Sequence, residues 1–248
     1  MQQQQQQQQP PTELSFSVPP PTYRRRFLVF DVESTGLLPN SRRGATTTVP
    51  ITAYPHILQL SFAIYDLSQK SVVRKYDAYI DVPDEVEVSE FITNLTGITK
   101  EMCKTKGKPI VEVLEQFYEA YMFCEGLVAH NMDYDEKMIL VELERNRKAV
   151  MEKAPYCFMT FNAMYEKVHG IERYCTMRKG TDMCNILVES KMPGRPPSKK
   201  WPKLIELYGK LFVGETVDGL HNSMVDVLTC LRCYLMMRHG YNDTGLFA

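Results

Sequence analysis

The feature that most constrains the fold is a short apolar segment at residues 26–33, with the sequence RFLVFDVE. Its β-branched and aromatic residues predict a buried strand. Asp31 and Glu33 stand two positions apart, so on a strand they project from the same face. Like charges that lie this close resist joint ionisation. The two acids therefore lie either at a solvated end of the strand or beside a compensating charge, which a divalent cation would supply.

The composition is that of an ordinary globular protein. Of 248 residues, 44% are hydrophobic and 24% are charged, and 29 basic against 30 acidic residues leave a formal net charge of −1. These values exclude a disordered chain and a coiled coil. The near-zero net charge excludes a protein that binds nucleic acid through positive charge over its whole surface. A local basic patch is still allowed.

Localisation signals are sparse in this sequence. No segment reaches the roughly 18 consecutive apolar residues of a membrane span, and the N-terminus lacks the pattern of a signal peptide. The seven cysteines show no paired spacing, as expected for free thiols in a reducing compartment. We therefore expect an intracellular protein, cytoplasmic or nuclear, that is not secreted.

One domain is expected behind an N-terminal tail. Residues 1–22 are rich in glutamine and proline and predict a disordered segment, whereas residues 23–248 predict a single domain. Strand-like patterns at residues 56–65 and 72–80 follow the first strand. The short polar connection between them predicts an antiparallel pair.

Helical patterns follow these three strands, with apolar residues recurring at helical spacing. The remaining predicted elements are a helix at 109–123, a strand at 126–129, and helices at 134–144, 202–212 and 224–237. Residues 147–200 are interpreted as irregular because Gly170, Gly180 and Gly194 interrupt them. A three-strand meander followed by alternating helices and strands predicts an α/β domain with a central mixed sheet flanked by helices.

Two later segments place polar residues where the chain passes into a helix. They are His130-Asn-Met-Asp-Tyr-Asp135, after the predicted fourth strand, and His221-Asn-Ser-Met-Val-Asp226, before the last helix. Both have structural explanations: acids in a first helical turn complement the helix dipole, and Asn222 or Ser223 could cap a helix. Both could equally join the two acids of the first strand in a metal site.

Taken together and in this order, the three segments resemble the motifs of the DEDDh family of 3′→5′ exonucleases, which have a ribonuclease H-like fold. The first motif resembles Asp31-Val-Glu-Ser-Thr-Gly36. The second resembles the segment at 130–135, with Asp135 rather than Asp133 as the ligand. The resemblance covers roughly residues 25–238.

The third motif resembles the segment at 221–226, with Ser223 in place of the usual alanine. A related branch uses a tyrosine four residues before the last aspartate. That position is Asn222 here, so the resemblance is to the histidine branch.

The resemblance implies a metal-dependent phosphodiester hydrolase. By the pattern of the family, Asp31, Glu33, Asp135 and Asp226 hold two divalent cations. Ligand sets made of carboxylates suit Mg²⁺ or Mn²⁺. His221 is the expected general base, which takes a proton from the attacking water.

Substrate contacts are implied as well. They comprise the turn after the first strand and the start of the second motif: Ser34, Thr35, Gly36, Leu37, His130 and Asn131. The expected substrate is nucleic acid with a free 3′ end, single-stranded and DNA in preference to RNA, and the expected product is a nucleoside 5′-monophosphate.

Three alternatives remain open at this level. One is an RNA-trimming exoribonuclease of the same fold. The others are a nucleic-acid-binding module without catalysis and a subunit held by a polymerase or another replication partner. No membrane partner is expected.

A basic stretch at residues 191–203 gives separate support for contact with nucleic acid. It contains five basic residues, no acid, and Trp201, the only tryptophan of the chain. Such a segment could follow phosphates and stack a base. It could equally be a solvated loop in which Trp201 packs at the start of a helix.

Overall fold

A five-stranded mixed sheet forms the centre of the computed structural model, which describes residues 25–39, 49–190 and 194–247; the predicted tail at 1–22 lies outside these ranges. The strands are β1 Arg26–Ser34, β2 Ile57–Asp66, β3 Ser71–Tyr79, β4 Gly126–Ala129 and β5 Glu172–Cys175. Their order in the sheet is β3-β2-β1-β4-β5. β1 pairs antiparallel with β2, and β2 with β3, whereas β1, β4 and β5 are parallel. The α/β fold with a mixed sheet is confirmed.

Helices cover both faces of this sheet. They are α1 Glu90–Thr96, α2 Lys100–Lys106, α3 Ile110–Met122, α4 Met132–Arg145, α5 Arg147–Lys153, α6 Ala163–His169, α7 Thr176–Cys184, α8 Leu204–Leu211 and α9 Ser223–His239. Short 3₁₀ turns lie at Ile51–Ala53, Pro155–Met159 and Thr244–Phe247, and a small hairpin joins β6 Leu187–Val188 to β7 Ser198–Lys199. None of the helices in the described ranges has the length and apolarity needed to cross a bilayer.

The central strand β1 divides the core into two layers. Leu28 and Phe30 pack on one face with residues of α3 and α4, whereas Phe27 and Val29 pack on the other face against α9. Full burial of each such side chain contributes about 1.5–3 kcal/mol. Because side chains alternate along a strand, Asp31 continues the face that lies under α9.

The prediction that residues 147–200 are irregular is wrong. This region supplies β5 and three short helices, α5 to α7. Each element is only four to nine residues long, which is too short for a clear hydrophobic period. Gly170 does end a helix, with a left-handed φ of 61°.

Gly180 does not act as a breaker. It lies inside α7, where a Cβ atom would approach the Leu207 side chain to 2.8 Å. The glycine therefore allows α7 to pack closely on α8. The helix predicted from Pro202 begins two residues later, at Leu204.

Candidate active site

Four acidic side chains converge at one edge of the sheet. Asp31 and Glu33 lie near the end of β1, and the parallel strand β4 ends beside it. The chain leaves β4 into α4, whose first turn carries the buried Asp135. Asp226 comes from the first turn of α9, which packs on β1. The structure thus brings together the four carboxylates that the sequence motifs single out.

Burial and mutual repulsion strongly disfavour ionisation of this cluster. Burial is the main cause that raises the pKa of Asp31 to about 8, and the charge of Asp226 adds to it. Burial also raises the pKa of Glu33 to about 9, with further contributions from Asp31 and Asp226. The pKa of Asp226 is raised to about 7 and that of Asp135 is raised as well, again chiefly by burial. Four ionised carboxylates at this place need a nearby positive charge.

Two acidic oxygens in the cluster are buried without a hydrogen-bond donor. Among the described residues, these are Oδ2 of Asp31 and Oδ2 of Asp135. The other oxygen of Asp135, Oδ1, accepts the Val32 N–H at 3.4 Å. An unsatisfied buried acceptor costs about 1–3 kcal/mol. A hard cation bound by oxygen ligands would satisfy both atoms, so the donor set fits Mg²⁺ or Mn²⁺.

His221 lies at the solvent side of the same cluster. One ligand atom each from Glu33, His221 and Asp226 all fall within 4.8 Å of one another. The His221 backbone is left-handed, with φ 69°, and its N–H donates to Asp226 Oδ2 at 3.0 Å. This bond within the loop holds the exposed imidazole next to the carboxylates.

The start of α9 is tied to the sheet by two adjacent residues. Asn222 caps the helix, with its Oδ1 accepting the Val225 N–H at 3.4 Å. Ser223 instead donates its hydroxyl to the backbone oxygen of Asp31 at 2.7 Å and its N–H to Gln59 Oε1 at 3.3 Å. Of the two capping candidates in the sequence, Asn222 is the cap.

The turn after β1 is clamped from two sides. The Tyr134 hydroxyl donates to the Gly36 carbonyl at 2.6 Å and lies 2.5 Å from Ser34 Oγ. Thr35 donates its N–H to the His56 carbonyl at 2.9 Å and accepts the His56 N–H at 3.0 Å. In the sequence, Tyr134 stands at the start of the predicted helix at 134–144 and inside the second motif, but no contact is predicted for it. Its place inside the second motif was the signal for a functional position.

His130 is engaged within the protein through both ring nitrogens. Nδ1 lies 2.9 Å from Thr176 Oγ1, and Nε2 lies 3.1 Å from the Pro202 carbonyl. Burial lowers the pKa of this imidazole to about 4. The ring is therefore neutral at pH 7, and the carbonyl partner assigns its proton to Nε2.

The neighbouring polar residues differ sharply in environment. Asn131 is exposed, in a left-handed conformation with φ 70°. Asp133 is also exposed and forms an ion pair with Arg178, whereas Asp135 is buried in the carboxylate cluster. Asp133 thus fits the structural explanation for acids in a first helical turn.

A cavity of about 1020 Å³ opens over the carboxylates. Its floor includes Asp31, Glu33, Asp135 and Asp226, and its rim carries apolar side chains that are unusually exposed: Leu37 (88%), Phe91 (72%) and Trp201 (61%). A charged floor and an apolar rim suit a ligand that has both phosphates and flat bases.

Comparisons with known proteins agree with this architecture. The model of the RNase_T family, described as exonuclease, matches residues 28–234. The PolC-type DNA polymerase III of Streptococcus thermophilus is 33% identical over 123 residues, which is 49% of this chain and 7% of that polymerase. Its counterpart in Lactococcus lactis is 32% identical over 126 residues, 50% of this chain and 6% of that protein. The chain thus spans less than a tenth of these relatives.

Solved structures show the same fold at low sequence identity. E. coli exonuclease I in complex with a dT13 oligonucleotide superposes with a TM-score of 0.58 and 16% identity over 88% of this chain and 42% of that chain. A full-length 3′-exonuclease gives a TM-score of 0.54 and 14% identity over 88% and 62%. Since the family model matches most of the sequence, the chain belongs to the RNase_T exonuclease family, and it shares the α/β fold of these solved exonucleases.

Proposed function

We propose that residues 23–248 form one metal-dependent exonuclease domain that releases nucleoside 5′-monophosphates from the 3′ end of single-stranded nucleic acid. The main support is the pair of buried, donor-less oxygens on Asp31 and Asp135 at the floor of an open cavity. A purely structural cluster would leave two costly unsatisfied acceptors. A cation site that faces a substrate explains both their burial and their position.

Asp31, Glu33, Asp135 and Asp226 would hold two divalent cations, Mg²⁺ or Mn²⁺. When bound, such cations balance the carboxylate charge and stabilise the charge that develops on the phosphate during hydrolysis. Asp135 is buried and accepts the Val32 N–H, and Oδ2 of Asp31 is buried beside it. The cluster therefore needs little rearrangement to bind cations.

His221 acts in this proposal as the general base. Its imidazole is exposed beside Glu33 and Asp226, so a ring nitrogen can accept a proton from the attacking water and pass it to solvent. Because the His221 N–H donates to Asp226 Oδ2, the base is held next to one of the proposed cation ligands.

The terminal nucleotide lies against the turn Ser34–Leu37 in this proposal. The Tyr134 hydroxyl bonds the carbonyl of Gly36, and His56, which precedes β2, bonds Thr35. These bonds hold the turn, and Leu37 lines the cavity. Leu37 thus packs against the terminal base, and Ser34, Thr35 and Gly36 meet the sugar and phosphate. Asn131 and His130 also line the cavity; Asn131 is exposed, whereas both ring nitrogens of His130 are engaged within the protein.

DNA is proposed as the preferred substrate over RNA. The relatives with matching sequence are DNA polymerases, and the exonuclease I structure contains a dT13 strand. The same relatives raise the alternative that this domain works beside a polymerase. An exoribonuclease is the second candidate, because the carboxylate floor treats both sugars alike.

One gel tests the proposal. Single-stranded DNA and RNA of matched sequence, labelled at the 5′ end, are incubated with Mg²⁺ or Mn²⁺, with and without EDTA. Wild type is compared with Asp31→Asn and with Asp133→Asn, a matched control at an exposed acid outside the cluster. The expected result is a ladder that shortens from the 3′ end, faster for DNA, and is abolished by EDTA and by Asp31→Asn only.

Other outcomes of the gel are equally informative. A faster RNA lane would establish the exoribonuclease. Binding of either strand without shortening, by folded wild-type protein and with both metals tried, would contradict catalysis and indicate a binding module.

A further inference from the structure

Two exposed aromatic side chains stand at the rim of the catalytic cavity. Among the described residues, Phe91 and Trp201 are the most exposed aromatic side chains, at 72% and 61%. Both line the cavity above the four carboxylates. Large apolar side chains exposed together beside a polar site are typical of ligand-binding surfaces.

Hydrogen bonds on both sides of Trp201 fix its backbone. The Lys200 N–H donates to the Ile186 carbonyl at 2.9 Å. The Pro202 carbonyl accepts from His130 Nε2 at 3.1 Å, and the Lys203 N–H donates to Glu206 Oε2 at 2.7 Å. The backbone of Trp201 is therefore held on both sides, which places the indole at the rim of the cavity and lowers the cost of ordering this segment when a ligand binds.

The charges around Trp201 are largely paired within the protein. The Arg178 guanidinium lies 6.0 Å from the centre of the indole ring but is bonded to Asp133. Lys199 and Lys200 form ion pairs with nearby acids. Beside Lys203, which also lines the cavity and can meet a phosphate, Trp201 therefore adds a flat apolar ring on which a base can stack.

We propose that Trp201 stacks a base of the substrate strand on the 5′ side of the nucleotide that is removed. This inference rests on the proposed exonuclease function. In this proposal the turn at residues 34–37 takes the terminal nucleotide, and Trp201, which lies on a separate element of the same cavity, takes the next base along the strand. Only an unpaired base exposes both its faces, and Trp201 therefore favours single strands over duplexes.

Trp201 is the only tryptophan of the chain, so its fluorescence reports on this contact directly. Wild-type protein is titrated with a dT12 oligonucleotide, with the same strand in a blunt duplex, and with thymidine 5′-monophosphate. The titrations are made in EDTA, and separately in Ca²⁺, to measure binding without turnover. We expect saturable quenching by single-stranded dT12 and much weaker quenching by the duplex and by the monophosphate.

Variants give a second readout by fluorescence anisotropy of labelled dT12. Trp201→Ala is expected to weaken binding by about 10-fold or more, and Trp201→Phe, which keeps an aromatic face, by less. Phe123→Ala removes another exposed aromatic ring that does not line the cavity and serves as the control. Circular dichroism confirms that each variant is folded.

The outcomes separate this inference from the proposed function. If dT12 is degraded and bound but the fluorescence does not change, or if Trp201→Ala binds as tightly as wild type, the stacking role is overturned while the exonuclease stands. If quenching occurs without any degradation, Trp201 binds the strand but the catalytic proposal fails. If neither dT12 nor an RNA strand of matched sequence binds, both are overturned.

Discussion

The hydroxyl of Ser223 donates a hydrogen bond of 2.7 Å to the backbone oxygen of Asp31, so the first turn of α9 is tied to the strand that carries two of the acids. The Ser223 N–H donates to Gln59 Oε1, and Gln59 Nε2 donates to Asp77 Oδ1 at 2.8 Å. An ionised carboxylate can only accept, so Asp77 turns the amide oxygen of Gln59 toward the helix. Three strands and a helix are thereby locked around the acidic cluster.

Asp77→Ala should impair both turnover and stability. Gln59 and Ser61 are fully buried, and both donate to Asp77 Oδ1. Loss of this acceptor should lower the free energy of unfolding by about 1–3 kcal/mol. Displacement of Asp226 should lower kcat by about 10-fold. Urea unfolding and the kinetics of oligonucleotide cleavage measure the two effects.

Asp77→Asn is the matched control because its side chain keeps the Oδ1 acceptor. It should restore most of kcat and of the lost stability. An asparagine variant as impaired as the alanine variant would show that the negative charge, and not the orientation of Gln59, is what counts.

Asp135→Asn should lower kcat by at least about 100-fold, because the proposed cations lose a buried ligand. Asp133→Asn should stay within about twofold of wild type, since exposed side chains contribute little. Steady-state cleavage of a labelled oligonucleotide compares the two variants. The reverse pattern, with Asp133 essential and Asp135 dispensable, would place the metal ligand two residues earlier than proposed.

His221→Ala should lower kcat by about 100-fold or more while leaving cation binding nearly intact. The exposed imidazole acts on a proton in our proposal, whereas the buried carboxylates hold the cations. Calorimetric titration with Mn²⁺ and kinetic assays on the same preparation measure the two properties. Parallel loss of both would indicate that the residue holds the loop in shape.

Metal-free protein should become less stable as the pH rises. The folded-state pKa values of Asp31, Glu33 and Asp226 lie at about 8, 9 and 7, above their ordinary values. Their protonated forms therefore stabilise the fold below pH 4, and this contribution is lost progressively as the pH rises to about 9.

Cations should reverse this trend, because they bind the ionised carboxylates. The gain in melting temperature on adding Mn²⁺ to protein in chelator-free buffer should be larger at pH 8.5 than at pH 5.5. Scanning calorimetry at both values measures it. An equal gain at the two pH values would show that the cluster is already ionised without metal.

The sequence predicts the helices and strands that have a strong hydrophobic periodicity. It also predicts which residues share one face when they lie close together in the chain. Asp31 and Glu33 lie on one face because they are two residues apart on a strand, and this spacing is visible in the chain. The partnership of Gln59 with Ser223 spans 164 residues, and no local pattern reveals it. Gln59 lies in β2, whose residues are all buried. Nothing in the sequence next to it indicates a contact with α9.

His130 shows a second limit of prediction from sequence. Its motif indicates a place at the site, and in the structure His130 is one of the residues that line the cavity. The contact between its Nε2 and the Pro202 carbonyl depends on how the segment after β7 returns to the sheet. That segment follows a region of short helices and strands with weak hydrophobic periodicity. Its course through the fold could therefore not be predicted from the sequence.

The alternation of β1 has a consequence for how this protein can change. Deleting or inserting one residue before Asp31 would turn both acids toward the layer that contains Leu28 and Phe30 and would place Val32 in the carboxylate cluster. A change of two residues would keep the faces but shift the acids along the strand by about 6.7 Å, away from Asp135 and Asp226. β1 can therefore vary by substitution, whereas insertions and deletions are tolerated only in the loops on either side of it.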